Sequence, residues 1–138
     1  MEKKVSTTEP ATTQRTVGRR KTAAARIRFA PGTGTFIVNG RELANYFPLK
    51  LQQQKIWAPL VATGKEKLFD VSVKVAGGGI TGQAEAIAHG LARALVLWNP
   101  ELRPVLRAGG FMTRDPRAKE RKKFGHTRAR RGHQWRKR

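Results

Sequence analysis

From Thr22 to Phe29 the small or apolar residues Ala23, Ala25, Ile27 and Phe29 alternate with Thr22, Ala24, Arg26 and Arg28. A period of two predicts a half-buried strand, with Arg26 and Arg28 on its outer face. Pro31 to Gly34 is a turn signal, Phe36-Ile37-Val38 a short apolar run, and Asn39-Gly40 a second turn, so the two strands are expected to form an antiparallel hairpin. Arg41 to Tyr46 reads as one helical turn. Leu51, Ile56, Leu60 and Val61 then recur at helical spacing between the boundaries Pro48 and Gly64. Leu68 to Ala76 returns to alternation, with Phe69, Val71, Val73 and Val75 on one face and Asp70, Ser72 and Lys74 on the other. Gly77 to Gln83 opens a helix whose apolar stripe is Ala84, Ile87, Ala88, Leu91 and Leu95, with Thr81 as the expected N-cap. Asn99-Pro100 ends it, and Glu101 to Arg107 forms another short helix that tolerates Pro104 in its first turn. No internal repeat is visible. The order of elements predicts an α+β domain, a small and mostly antiparallel sheet with helices packed on one face.

Charge adds a second part to this picture. The chain has 138 residues and a formal net charge of +20, enough length for one domain plus tails. Arg114 to Arg138 carries twelve Lys and Arg against Asp115 and Glu120, a net +10, and contains no Leu, Ile, Val or Met. Ordering each residue costs about 1–2 kcal/mol, which Phe124 and Trp135 cannot offset over such a length. The segment 114–138 is therefore expected to be an extended basic tail that orders against a polyanion, following a folded domain at 17–113 and a disordered Thr-rich lead-in at 1–16.

Nucleic acid is the polyanion of choice. A membrane-surface helix needs an apolar face opposite its cations, which the tail lacks, and no run of 18 apolar residues exists for a span. The start has no apolar stretch of a secretory signal, so a soluble intracellular protein is expected. With no cysteine, disulfides and thiolate chemistry are excluded, and His89, His126 and His133 form no metal-ligand pattern. Asp70 and Asp115 have no carboxylate partner at a useful spacing for acid–base catalysis. No cofactor is expected.

Within this frame several motifs carry chemistry. Arg19-Arg20-Lys21 is a natural phosphate clamp, or else a solvated charge run on an edge strand. The glycine loop, with Gly78, Gly79 and Gln83, could present backbone N–H groups to RNA phosphates at a helix N-terminus, or simply permit a tight strand-to-helix turn; the readings are compatible. It matches neither the GxxxxGK[ST] nor the GxGxxG spacing. Trp135, among Gln134, Arg136, Lys137 and Arg138, could stack on an unpaired base or enter a pocket of a partner.

The segments GRRKTAAARI (Gly18 to Ile27), VNGRELANYFP (Val38 to Pro48), FDVSVKVAGGGITGQAEAIAHGLARAL (Phe69 to Leu95), PELRPVLRAGGFMTRDPR (Pro100 to Arg117) and ERKKFG (Glu120 to Gly125) closely resemble bacterial-type small-subunit ribosomal protein nine. The resemblance implies a domain like the second domain of ribosomal protein five, bound to ribosomal RNA in the small-subunit head beside neighbouring head proteins, in a cytoplasmic ribosome. It implies a tail threading through RNA toward the peptidyl-site tRNA, where the family's final Lys-Arg, here Lys137 and Arg138, approaches the anticodon stem-loop. Family members end in an aromatic residue, a small polar residue and Lys-Arg; Arg136 departs from this by adding a cation, and His126 to Arg128 and Gly132-His133 also differ from the family wording. Ribosomal RNA is then expected to meet Arg19, Arg20, Lys21, Arg26, Arg28, Gly78, Gly79 and Gln83 on the domain. On the tail it is expected to meet Arg114, Arg117, Arg121, Lys122, Lys123, Arg128, Arg130 and Arg131, leaving Arg136, Lys137 and Arg138 for tRNA.

The rival class is an enzyme, since this fold type also resembles small-molecule kinases that lay a glycine loop over ATP phosphates. Such a kinase needs a magnesium ligand and a substrate-binding half. The domain is too short for the second, and its loop lacks the serines of those kinases, so neither catalysis nor a small-molecule substrate is expected.

Overall fold

The computed structural model describes residues 13–137. Most of the expected lead-in, residues 1–12, and Arg138 lie outside the described residues. The elements in chain order are β1 (Gln14–Arg20), β2 (Ala23–Pro31), β3 (Phe36–Val38), β4 (Arg41–Glu42), α1 (Leu43–Tyr46), α2 (Lys50–Thr63), β5 (Phe69–Ala76), α3 (Ile80–Trp98), a 3-10 turn (Pro100–Leu102) and α4 (Arg103–Ala108). The strands form one sheet in the order β1-β2-β5-β3-β4, antiparallel except where β3 runs parallel to β5.

One face of the sheet is covered. Ala23, Ala25, Ile27 and Phe29 of β2 and Phe69, Val71, Val73 and Val75 of β5 are buried against α3, whose inward stripe includes Ala84, Ile87, Leu91 and Leu95. Ile56 and Leu60 of α2 and Leu106 of α4 close the same core, with Leu102, Phe111 and Met112 packed at its margin. Among the described residues no helix lies on the opposite face of β1, β2 and β5.

The expected pairing of the first two strands is corrected. β5 lies between β2 and β3, so the hairpin is instead β1–β2, closed by Lys21 and Thr22. β5 supplies eight alternating residues with a pairing edge on each side, and Phe36 and Val38 register against Val71 and Val73. Asn39 completes that edge: its side chain accepts a hydrogen bond from the Val75 N–H at 2.9 Å and donates to the Val75 carbonyl at 3.0 Å.

β1 itself was hidden in the sequence because its inward positions are Thr16 and Gly18, the reverse of a hydrophobic strand. The cause is α3, which crosses β1 at backbone contact. A Cβ on Gly18 would stand 2.5 Å from the Gly90 nitrogen and closer still to the Ala86 carbonyl. Thr16 Oγ1 donates to the Gly90 carbonyl at 2.9 Å across the same crossing.

Two further expectations change. In α2, Leu51 and Val61 are 66% and 54% exposed, whereas Gln52 and Pro59 are buried with Ile56 and Leu60, so the helix is apolar on both sides. In α3 the N-cap is Gly79, and Thr81 lies within the first turn without capping it.

Candidate nucleic-acid interface

The uncovered face of the sheet collects cations from three strands. Side chains alternate across a strand, so Arg15 and Arg19 of β1, Arg26 and Arg28 of β2 and Lys74 of β5 share this face, and all five are exposed. Register sets Arg15 opposite Arg28 and Arg26 opposite Lys74. Like charges directly opposed destabilise a sheet unless an anion lies between them. Shallow grooves run along the face, one of about 290 Å³ lined by Arg15, Arg26, Arg28, Ser72 and Lys74 among others. Sequence reasoning named Arg19, Arg26 and Arg28 but missed Arg15 and Lys74, which strand register alone unites with them.

Asp70 is the carboxylate that β1, β2 and β5 place on this face, with Glu42 at the far edge on β4, and Asp70 is committed to the turn. Its Oδ1 accepts the N–H groups of Thr33, Gly34 and Thr35 at 2.9, 3.1 and 2.9 Å. Those backbone bonds hold its carboxyl below the usual carboxylate range.

Arg20, expected in an outward phosphate clamp, instead faces α3. Its side chain is 11% exposed, with Nε 2.6 Å from Glu85 Oε2 and Nη1 2.7 Å from Asp115 Oδ2. Lys55 Nζ reaches the other Glu85 oxygen at 3.1 Å, and Arg117 Nη2 reaches Asp115 at 2.8 Å. Strand, two helices and the root of the tail thus meet in one ion cluster on the helical side of the sheet. Burial works to raise the Glu85 pKa, but hydrogen bonds from Lys55 and Arg20 outweigh it; the Arg117 side chain and N–H hold Asp115 far below its ordinary value. Nearby, burial, then Arg93 and Arg114, push the His89 pKa down against a hydrogen bond at Met112, which favours the neutral ring, and its Nδ1 accepts the Arg19 N–H at 3.4 Å.

Both depressed carboxylates contribute above the ordinary carboxylate range, and their contribution is lost only as pH falls through the lower folded-state values. At neutral pH the cluster is therefore fully formed. Asp115→Asn is expected to speed amide exchange at Arg117, whose N–H donates to Asp115 Oδ1 at 2.9 Å. The factor is below about ten, the ceiling for a partly exposed pair. Exchange in β5 and α3 should not change, and an unaltered Arg117 amide would show that the tail root is held otherwise.

The glycine loop is exposed to solvent, but its first two residues pack closely on the β1–β2 turn. Gly77 and Gly78 have φ of 76° and 64°, and a Cβ would meet the Thr22 carbonyl at 2.6 Å or Ala23 at 3.0 Å respectively. Gln83 Nε2 donates to the Gly77 carbonyl at 3.0 Å while its Oε1 accepts from Tyr46 at 2.9 Å. Gly78 and Gln83 thereby fit the strand-to-helix turn reading, whereas a Cβ on Gly79 would meet nothing within 4 Å. Lys21, with φ 52°, stands exposed on the β1–β2 turn.

Beyond α4 the described chain has no helix or strand, only a bridge between His126 and Gly132 with Thr127 N–H donating to the Arg131 carbonyl at 2.8 Å. Glu120 binds Arg130 at 2.8 Å and Lys123 at 3.3 Å. Arg114, Arg121, Lys122, Arg128, Arg131, Arg136 and Lys137 are exposed. Phe124 and Trp135 are 98% and 81% exposed, which in water leaves two aromatic faces with nothing to cover them. Among the described residues no group of acidic, histidine or cysteine side chains could hold a metal, and no helix is long and apolar enough to cross a membrane.

Comparison with known proteins covers the folded part and the tail together. The family model described as Ribosomal protein S9/S16 matches residues 18–138. The small ribosomal subunit protein uS9 of Mycobacterium tuberculosis is 54% identical over 123 residues, covering 89% of this chain and 82% of its own. Those of Mycobacterium avium and Nocardia farcinica are 54% and 50% identical, each covering 89% of this chain and 74% of their own. These relatives are ribosomal proteins, which sets the kinase-like reading aside. With the match running from the crossing glycine of β1 to the end of the basic tail, the chain belongs to the ribosomal protein S9/S16 family.

Proposed function

We propose that the chain is a structural component of the small-subunit head, binding ribosomal RNA through its cationic domain surface and tail and reaching the peptidyl-site tRNA with its tip. The observation that carries this reading is the tail, where half of the net charge lies on an exposed segment with no core of its own. Residues from Arg114 to Arg131 serve ribosomal RNA phosphates. Trp135 is free to stack, and Arg136, Lys137 and Arg138 form the tRNA-facing tip. The chemistry is charge neutralisation with release of condensed counterions, plus stacking by an aromatic ring.

Removal of Arg136 to Arg138 tests the tip. Assembled small subunits carrying that variant are expected to bind peptidyl-site tRNA more weakly, with the salt slope reduced by about 2, since each neutralised phosphate contributes about 0.7–0.9. Assembly should proceed normally. Failed assembly with unchanged tRNA affinity in the subunits that do form would assign the tip to ribosomal RNA.

A further inference from the structure

Glu85, His89 and Arg93 stand one helical turn apart on a single stripe of α3, and that stripe runs along β1. β1 ends the sheet, so one edge of its backbone has no strand beside it. Arg93 Nη1 donates to the Val17 carbonyl at 2.5 Å, His89 Nδ1 accepts the Arg19 N–H at 3.4 Å, and Glu85 holds the Arg20 guanidinium. His89 has a second partner, because its ring N–H donates to the backbone of Met112, where the chain passes from α4 into the tail. Three residues later Asp115 reaches Arg20. The tail root is thus tied to the β1–α3 pair at two points, one through ions and one through a single imidazole. We propose that His89 is the positioning residue of the tail, a clasp that holds the tail root against β1 while its ring is neutral and releases it when the ring takes up a proton.

Neutral imidazole is suited to this position because it accepts at one nitrogen and donates at the other. Protonated, it carries an N–H on both, and Nδ1 then meets the Arg19 N–H donor to donor. The surrounding charge adds to the conflict. His89 lines a cavity of about 310 Å³ with Arg19 and Arg20 of β1, Lys55 of α2, Glu85 of α3 and Arg114, Asp115 and Arg117 of the tail root, and Arg93 lies one turn further along its own helix. Both carboxylates there are engaged, Glu85 with Arg20 and Lys55, Asp115 with Arg20 and Arg117. Both are also held below their ordinary values, so they stay ionised while the ring titrates. Burial, then Arg93, lowers the His89 pKa from its ordinary 6.5 in the closed arrangement. A released ring therefore takes up its proton at higher pH than a clasped one. The clasp is fully stabilising above 6.5 and weakens as pH falls below that value toward the lowered one. What opens is the hold on Met112 and on the β1 edge, while the Asp115–Arg20 pair remains as the pivot.

The clasp belongs to the free chain, whatever the tail binds, so it is tested without RNA. The isotope-labelled full chain is titrated between about pH 8 and 5, and the His89 ring and the amides of Arg19 and Thr113 are followed by NMR. The two amides are expected to shift together with the ring, at one midpoint below 6.5. Protection of the Arg19 amide from exchange should drop by about two- to tenfold across that midpoint, the range for one hydrogen bond. His89→Gln, whose amide also accepts at one atom and donates at another, should keep the protection and abolish the pH dependence. His89→Leu should lose the protection at every pH. Amides that do not follow the ring would overturn the proposal, as would unchanged protection in His89→Leu. So would the same pH-dependent shift in His89→Gln, where His126 and His133 are the histidines left to titrate.

Discussion

A chain ending after Ala118 is expected to fold normally yet lose most of its affinity for ribosomal RNA. The truncation removes Lys119, Arg121, Lys122, Lys123, Arg128, Arg130, Arg131, Arg136, Lys137 and Arg138 with one acid, Glu120. Lys123 and Arg130 are paired with Glu120; of the other eight cations, seven form no ion pair among the described residues and Arg138 lies outside them. If each of the eight neutralises one phosphate, the slope of log affinity against log salt falls by about 6, and affinity near physiological salt falls by a factor on the order of a thousand or more. The core is untouched because its last fully buried side chain is Leu106 and its last packed neighbour Met112. The Arg20–Asp115 pair is also retained. Titrations across a salt series, with thermal unfolding of the same samples, check both halves. A slope unchanged by truncation would mean that the tail's charge does not face phosphate in the complex.

How much of this was legible in sequence depended on whether burial was one-sided. β2, β5 and α3 showed themselves because each buries a single face, so period two or 3.6 survives in the residue order. α2 was found as a helix but with the wrong face, since Leu51 and Val61 are apolar yet exposed while Gln52 is buried. β1 left no signal because its inner positions had to be small. The pairing of β3 with β5 rather than β2 is a long-range choice that local turn chemistry does not encode. In the site, the tail was readable because charge without apolar residues is a property of composition. The role of Arg20 was not, since its partner Glu85 lies 65 residues away and the alternative, an exposed clamp with Arg19 and Lys21, looks identical in one dimension. Arg15 and Lys74 are ordinary surface cations until register aligns them with Arg28 and Arg26.

The crossing of β1 and α3 supports both cationic surfaces, and Gly18→Ala is the substitution expected to disturb it most. Gly18 does not have a positive φ, so the obstacle is volume and not backbone conformation. The added methyl would collide with backbone atoms, the Ala86 carbonyl and the Gly90 N and Cα, and backbone on a long helix cannot swing aside as a side-chain tip can. Gly90→Ala is a milder case, since its nearest obstacle is the Ile27 Cδ1 at 2.5 Å, though Gly18 N follows at 3.0 Å. Overpacking a well-filled contact costs about 1–3 kcal/mol and more where nothing yields; the upper end applies to Gly18→Ala, lowering Tm by roughly 10 °C or more in a domain of this size. Gly132→Ala, with open space around it and no positive φ, is the matched control and should leave Tm unchanged. Because β1 carries Arg15 and Arg19 outward and Arg20 inward, lifting it displaces the open face and the tail root together. Well below its Tm, Gly18→Ala should therefore also weaken RNA binding, whereas Asp115→Asn should disturb the tail root and leave the open face in place. A Tm within about 2 °C of the parent, against the shift expected for overpacking, would show that β1 does not press on α3 as closely as its glycines imply.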